Sequence, residues 1–328
     1  MRRLGGFYLL AMAVALLPII FPDNYFVTVV GVTAGIHIIL AVSLNLLMGY
    51  AGQISLGHDA FFGIGAYTTG ILTTQYGWGA WSAMAAGMLL TAAISFMISR
   101  PILRLKGHYL AMATLGFGII VNIVLVQNGT LTGGPDGLSD IPPLAFFGWE
   151  VNDDMRWYIV IAMLLVVWLA LNIIDSRSGR ALRALHGSEV AAEMMGINTT
   201  TTKTGVFVLA ALIASFAGSL FAHQQAFISP DSFSFFFSIE LVTMVVLGGM
   251  ASTYGAILGA IILTFLPELL VVFEDYEVMI FGAILMLTMI FLPQGIFVGM
   301  QDLLRKLKHR QQKAKQPVTA KERNHGTA

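Results

Sequence analysis

Charge is missing from this chain in long, recurring blocks, and that absence limits the fold more than any motif. Residues 24–57, 60–99, 107–135, 157–174, 204–230, 241–267 and 278–301 contain no Asp, Glu, Lys or Arg. Charged residues make up 11% of the chain, against roughly 25% in an average soluble domain. A chain so short of charge cannot cover a water-facing surface, and a bilayer is the solvent that tolerates apolar groups outside. With no cysteine, disulfides, thiolate chemistry and Cys-based metal sites are excluded.

A spanning helix needs about 20 apolar residues at 1.5 Å each. Breaks at Gly, Pro and polar clusters then predict about ten spans, at 7–22, 25–48, 60–76, 79–98, 108–127, 157–174, 203–228, 236–250, 253–271 and 278–299. The expected fold is all-α, a polytopic transmembrane bundle with some short or broken segments. The first span reads as uncleaved, because its small-residue triplets lie inside the apolar stretch. Ten spans put every basic residue except Arg156 on one side. By the positive-inside rule that side is cytosolic, with both termini there. The membrane-spanning body is expected over 1–300. It has an extracytoplasmic loop at 128–156 and a cytosolic segment at 177–202. A basic, disordered tail at 301–328 is expected in the cytosol or against anionic lipid.

Two of the spans are short and glycine-interrupted. Residues 60–76 hold Gly63, Gly65 and Gly70, and 236–250 end in Gly248 and Gly249. Such segments either pack helices closely or expose backbone to a substrate. The run 49–59 gathers Gly49, Gly52, Gln53, Ser55 and Gly57 before His58 and Asp59. It reads either as a broken element lining a path or as a tight cytosolic loop. His58 and Asp59 are placed to form a local pair. Glu240 is an acidic residue inside a span, a functional candidate by default, although its place near the outer end favours a structural hydrogen bond. His37 and His223 are expected to be packed and hydrogen-bonded. No nucleophile–base set, paired carboxylates or metal-type spacing appears, so neither catalytic nor metal-ligating residues are predicted.

In the cytosolic segment, Ser188 suits an N-cap, Glu189 the positive helix end, and Gly196 the position after the last turn. They frame a helix of about seven residues. Val190 and Met194 share one face, Glu189 and Glu193 another. No G-x-x-x-x-G-K-[ST] loop is present, so any ATP coupling must come from a partner.

These motifs carry a resemblance. The stretches GYAGQISLGHDAFFGIGAY (49–67), YLAMATLGFG (109–118), LTGGPDGL (131–138), SGRALRALHGSEVAAEMMGI (178–197) and SIELVTMVVLGGMASTYGAILGA (238–260) resemble the LivM-like permease subunits of branched-chain amino acid ABC importers. That resemblance implies a heterodimer with a homologous second permease, two cytosolic ATPase subunits carrying ATP and Mg, and a periplasmic substrate-binding protein. It also implies a bacterial cytoplasmic (inner) membrane location and no cofactor on this chain; no nucleic-acid partner is expected. Arg180, Arg183, Ser188, Glu189, Glu193 and Gly196 would belong to the ATPase-coupling segment. His186 stands where the family pattern usually has a basic residue, and Asp59 where it has a small one. The rival readings are an ABC permease for urea or another small polar solute, and an ion-coupled secondary transporter. The latter would need charged relays in its spans, and Glu240 alone is a thin provision.

Overall fold

In lipid, every backbone amide must find its partner inside its own segment, and helices do this. The computed structural model describes residues 2–20, 24–146, 149–150, 155–291, 295–297 and 299, and these are overwhelmingly helical. Each of the ten predicted spans overlaps a helix: α1 (Arg2–Ile20), α2 (Phe26–Tyr50), α3 (His58–Thr74), α4 (Ala80–Ile102), α5 (His108–Gln127), α7 (Met155–Asp175), α10 (Thr199–Gln225), α11 (Phe235–Gly248), α12 (Thr253–Leu270) and α13 (Glu277–Phe291), while residues 21–22, 292–294 and 298 of the first and last spans lie outside the described residues. Six are long and apolar enough to cross a membrane: α2, α4, α5, α7, α10 and α12. A one-turn α6 (Gly129–Thr132) follows α5, and a two-residue antiparallel pairing joins β1 (Ala145–Phe146) to β2 (Trp149–Glu150). The predicted tail 301–328 lies outside the described residues.

The core is a helix pair made possible by missing side chains. A Cβ on Gly65 of α3 would sit 2.2 Å from the Ser215 carbonyl oxygen of α10, and one on Gly218 of α10 would lie about as close to the Phe62 carbonyl of α3. Each helix thus lays its backbone into the other, the close approach that drives association in lipid. Hydroxyls complete the seam: Thr69 bonds Ser219 at 2.7 Å, and Thr91 of α4 donates to Ser215 at 3.0 Å. Hydrogen bonds of this kind average about 0.6 kcal/mol in membranes, so the packing matters more. The same device joins α11 to α12, where Gly259 meets the Met244 carbonyl and Gly248 meets Gly255. Around this centre, α4 and α5 turn Leu89, Met97, Met112 and Ile120 outward.

Residues 177–202 depart from the single short helix expected there. Two helices occur, α8 (Arg177–Gly187) and α9 (Glu189–Met194). Ser176 starts α8 by accepting from the Gly179 amide, and Ser188 starts α9 by accepting from the Ala191 amide at 3.3 Å. Gly196 then turns the chain with a φ of +80°, where a side chain would be strained.

Candidate functional site

The run 49–59 is a true break in the helical path. Tyr50 ends α2, and Gly52 lies against the ring of His186 on α8. From there the chain climbs back into the bundle. The Leu56 amide donates to Thr114 Oγ1 at 3.0 Å, and the Leu56 carbonyl accepts from Ser238 of α11 at 2.7 Å. Thr114 is six residues into α5, so this point lies about 9 Å from the end of that helix. Gly57 touches α5 directly, since a Cβ there would fall 2.1 Å from the Thr114 carbonyl oxygen. Of the two readings left open by the sequence, the geometry favours the broken element. α3 then begins inside the bundle, and its 17 residues rise about 25 Å, short of a 30 Å core.

The second candidate segment meets the first. Asn45 Oδ1 accepts from the Ala251 amide at 3.0 Å, and Gly49 leaves the space for that contact. Gly248 and Gly249 form the turn just before it, with Gly249 at a φ of +111°. Gly49, Gly52, Gln53, Ser55, Gly57, Gly248 and Gly249 therefore line one continuous discontinuity between α2, α3, α5, α8, α11 and α12. Within it Gln53 Oε1, Ser55 Oγ and Asp59 Oδ1 are buried and make no hydrogen bond. Buried polar atoms without partners are rare enough to require a reason, and a polar solute passing here would supply one.

Several expectations need correction. His58 and Asp59 do not pair: His58 Nε2 bonds Ser43 Oγ at 2.7 Å, while the Asp59 carboxyl faces Ser238 and Gly118. Residues 58 and 59 begin a helix, and successive helical side chains point to different sides. Glu240 does not make the structural hydrogen bond expected of it, since it has no hydrogen bond or ion pair with any described residue. It sits two residues beyond Ser238, half-buried, outside the discontinuity's contacts. A second acid lies within a predicted span, Glu268 near the end of α12, which accepts from the Tyr25 hydroxyl at 3.4 Å. His37 and His223 are hydrogen-bonded as expected, to Thr264 at 2.8 Å and to the Pro142 carbonyl at 2.7 Å.

The residues that the resemblance assigned to coupling bond within their own protein, although all but Glu189 are exposed. Arg180 and Arg183 donate to the Asp175 and Ile174 carbonyls at the end of α7, where cations suit the negative helix end. Lys203 Nζ donates to Glu189 Oε1 at 2.5 Å, and Lys106 lies 3.4 Å from the other oxygen. The Lys203 hydrogen bond, then the Lys203 and Lys106 charges, hold the Glu189 carboxyl below its ordinary value against the opposing cost of burial. Glu193 accepts from Thr199 Oγ1 at 2.7 Å. Glu189 is thus turned inward, Glu193 is held by Thr199 but stays exposed, and the large side chains offered outward are apolar. Val190 is 63% exposed, Met194 84% and Met195 83%. The sequence separated these two faces but could not show which one points out.

Known proteins can now be set beside this geometry. Residues 25–289 match the family described as "Branched-chain amino acid transport system / permease component". The chain belongs to that family. It is 39% identical to the high-affinity branched-chain amino acid transport system permease protein LivM of Salmonella typhimurium, over 86% of this chain and 72% of that protein. Identity to LivM of Escherichia coli is also 39%, over 80% of this chain and 67% of the relative. LivH of Salmonella typhimurium is 29% identical over 81% of this chain and 92% of its own length. The expected likeness to the LivM-like member is met, and the relatives include both kinds of permease. No solved structure matches. The break, the glycine seam and residues 177–202 of this permease all fall inside the matched range.

Because Gly57 rests on the Thr114 backbone, Gly57→Ala should push residues 53–57 out of their seat. Solute uptake by the assembled transporter is expected to fall by tenfold or more while the protein still inserts, as even small inserted groups cost about 1–3 kcal/mol in packed interiors. Uptake at the wild-type rate would show that the break does not bound the path.

Proposed function

We propose that this chain is the LivM-like permease subunit of an ATP-driven importer of branched-chain amino acids in a bacterial cytoplasmic membrane. The family and the names of the relatives support this reading. In it, ten segments cross or enter the membrane with both termini in the cytosol. A homologous second permease completes the path, two ATPase subunits carrying ATP and Mg dock from the cytosol, and a periplasmic protein delivers solute. This chain itself hydrolyses nothing and carries no cofactor. Its body is 1–300, with segment 177–202 for coupling, loop 128–156 outside, and a basic tail.

One observation carries the mechanism: the outward apolar face of α9 is fixed to the bundle by Glu189, while His186 of the adjoining α8 lies against Gly52 at the break. An ATPase gripping Val190, Met194 and Met195 would move α8 and α9 together, and the movement would reach residues 52–57 through His186. Binding-protein docking at the other end and ATP binding at this one each favour one helix arrangement, and a partner shifts that balance only by its different affinity for the two. The path then opens alternately to each side. Unpartnered Gln53 and Ser55, with backbone at the helix break, would meet the polar end of the solute.

Glu189→Lys tests the anchor. It places a third cation beside Lys106 and Lys203 and should release α9, reducing co-purification of the ATPase by about tenfold with membrane insertion unchanged. Glu189→Gln leaves the buried Lys203 without its counter-charge, which costs more than the half-exposed pair itself gains, about 1 kcal/mol. Adding Lys203→Met should therefore restore part of the loss. Acid should act like Glu189→Gln. A carboxylate held below its ordinary value stabilises the anchor above that value, and the gain fades as pH falls through the lower, folded value. Limited proteolysis of the 187–198 loop across that range reads the release. An unchanged complex in Glu189→Lys would remove α9 as the docking element.

A further inference from the structure

The cytosolic end holds a second feature, which borders the Glu189 anchor but includes cations the anchor does not engage. A cavity of about 590 Å³ opens between the end of α4, the α4–α5 turn, α9 and the start of α10, lined by Arg100, Arg104, Lys106, Lys203, Glu189 and Glu193 among others. Its volume is within the range of small-molecule sites. Four cations face two carboxylates, and both carboxylates are already engaged, Glu189 by Lys203 and Lys106 and Glu193 by Thr199. Arg100 lies over the Phe96 ring at 5.2 Å from its centroid, and neither Arg100 nor Arg104 has an acidic partner among the described residues. Lys203 is buried, with 8% of its side chain exposed, so the floor of the cavity is built rather than a loose surface patch.

We infer that this cavity is a binding site for a phosphate group, supplied by the headgroup of an anionic phospholipid of the surrounding leaflet. Two guanidinium groups without carboxylates suit phosphate oxygens, which they bind in a forked, two-point manner. The source follows from what flanks the cavity. Phe96 and Met97, one turn up α4, and Tyr109 and Met112, at the start of α5, are exposed apolar side chains. Acyl chains would lie along them with the headgroup at the basic end, the arrangement expected of basic pockets between helices. A bound phosphate would draw Lys106 from Glu189 and so bear on the anchor of α9. The inference rests on the reading that this end of the bundle faces the cytosol, but its test does not depend on transport.

The permease complex is purified from vesicles of phosphatidylethanolamine and phosphatidylglycerol, and retained phosphatidylglycerol is counted by native mass spectrometry. Wild type should keep it. Arg104→Gln should lose it by roughly tenfold, the worth of about one charge-assisted hydrogen bond, and Arg100→Gln/Arg104→Gln by more. Arg104→Gln alters an exposed turn residue, so a folded variant is available. Arg177→Gln/Arg180→Gln removes the same charge outside the cavity and should leave retention unchanged. In a second arm, inorganic phosphate is added to complex purified from phosphatidylcholine vesicles. A rise in thermal midpoint that Arg104→Gln abolishes, without retained phosphatidylglycerol in the first arm, would keep the phosphate site but assign it to free phosphate. Equal retention in Arg100→Gln/Arg104→Gln and wild type, or equal loss in Arg177→Gln/Arg180→Gln, overturns the inference.

Discussion

Gly65→Val and Gly218→Val should each prevent the bundle from closing, and their effect is expected to be the largest of any single substitution in the transmembrane core. The atoms a new Cβ would meet are backbone, the Ser215 carbonyl on one side and the Phe62 carbonyl and Ala66 amide on the other. Backbone cannot rotate aside as a flexible side chain can. The helices must part, and the Thr69–Ser219 and Thr91–Ser215 hydrogen bonds part with them. Overpacking costs about 1–3 kcal/mol where neighbours can shift, and these neighbours cannot. Detergent-extracted variants should aggregate or lose most of their thermal midpoint in fluorescence-detected size exclusion. Gly116→Ala on α5 is the control. Nothing lies within 4 Å of its added Cβ, and alanine gains up to about 1 kcal/mol of helix propensity over glycine. If Gly65→Val ran like Gly116→Ala, the α3–α10 seam would not be the centre of this fold.

Val190→Asp/Met194→Asp is expected to produce the largest functional loss in a protein that remains folded. Both side chains are exposed in the isolated chain, so their replacement should leave the bundle's midpoint close to wild type. An apolar anchor that enters a partner's pocket commonly accounts for 2 kcal/mol or more of an interface, and a buried, unpaired carboxylate adds its own cost. ATP-dependent uptake in proteoliposomes should fall at least a hundredfold, with ATPase subunits lost from the purified complex. The pair Glu189→Gln and Val190→Asp/Met194→Asp separates two roles. The first loosens the helix and is partly rescued by Lys203→Met. The second removes what is gripped and is not rescued.

The fold was legible wherever a single physical demand acted along the chain. Blocks without charge located ten helices, because lipid penalises every charge in the same way. Ser188 and Gly196 framed α9, because caps act within one turn. The first helix of the pair, α8, was missed. It is short and basic, and its signals were the Ser176 cap and one narrow apolar face at Leu182 and Leu185, which charge-free blocks do not reveal. The orientation of α9 was beyond the sequence for another reason. Glu189 faces inward because Lys203 and Lys106 wait there, and Lys106 comes from a turn far away in the chain. The same distance hid the meeting of Leu56 with Thr114 and Ser238. Glycines at 49, 57 and 248 could be seen as candidates, but the backbones they admit belong to other segments.

The chain has no cysteine, which makes the central claim directly measurable with one substitution. Met194→Cys places a lone thiol on the outward face of α9. In intact cells a membrane-impermeant maleimide should leave it unlabelled, and labelling should appear only once the membrane is opened. Co-expression of the ATPase should then protect it. A thiol at position 194 that reacts from outside in sealed cells would put the coupling segment on the wrong side of the membrane from its motor and contradict the account.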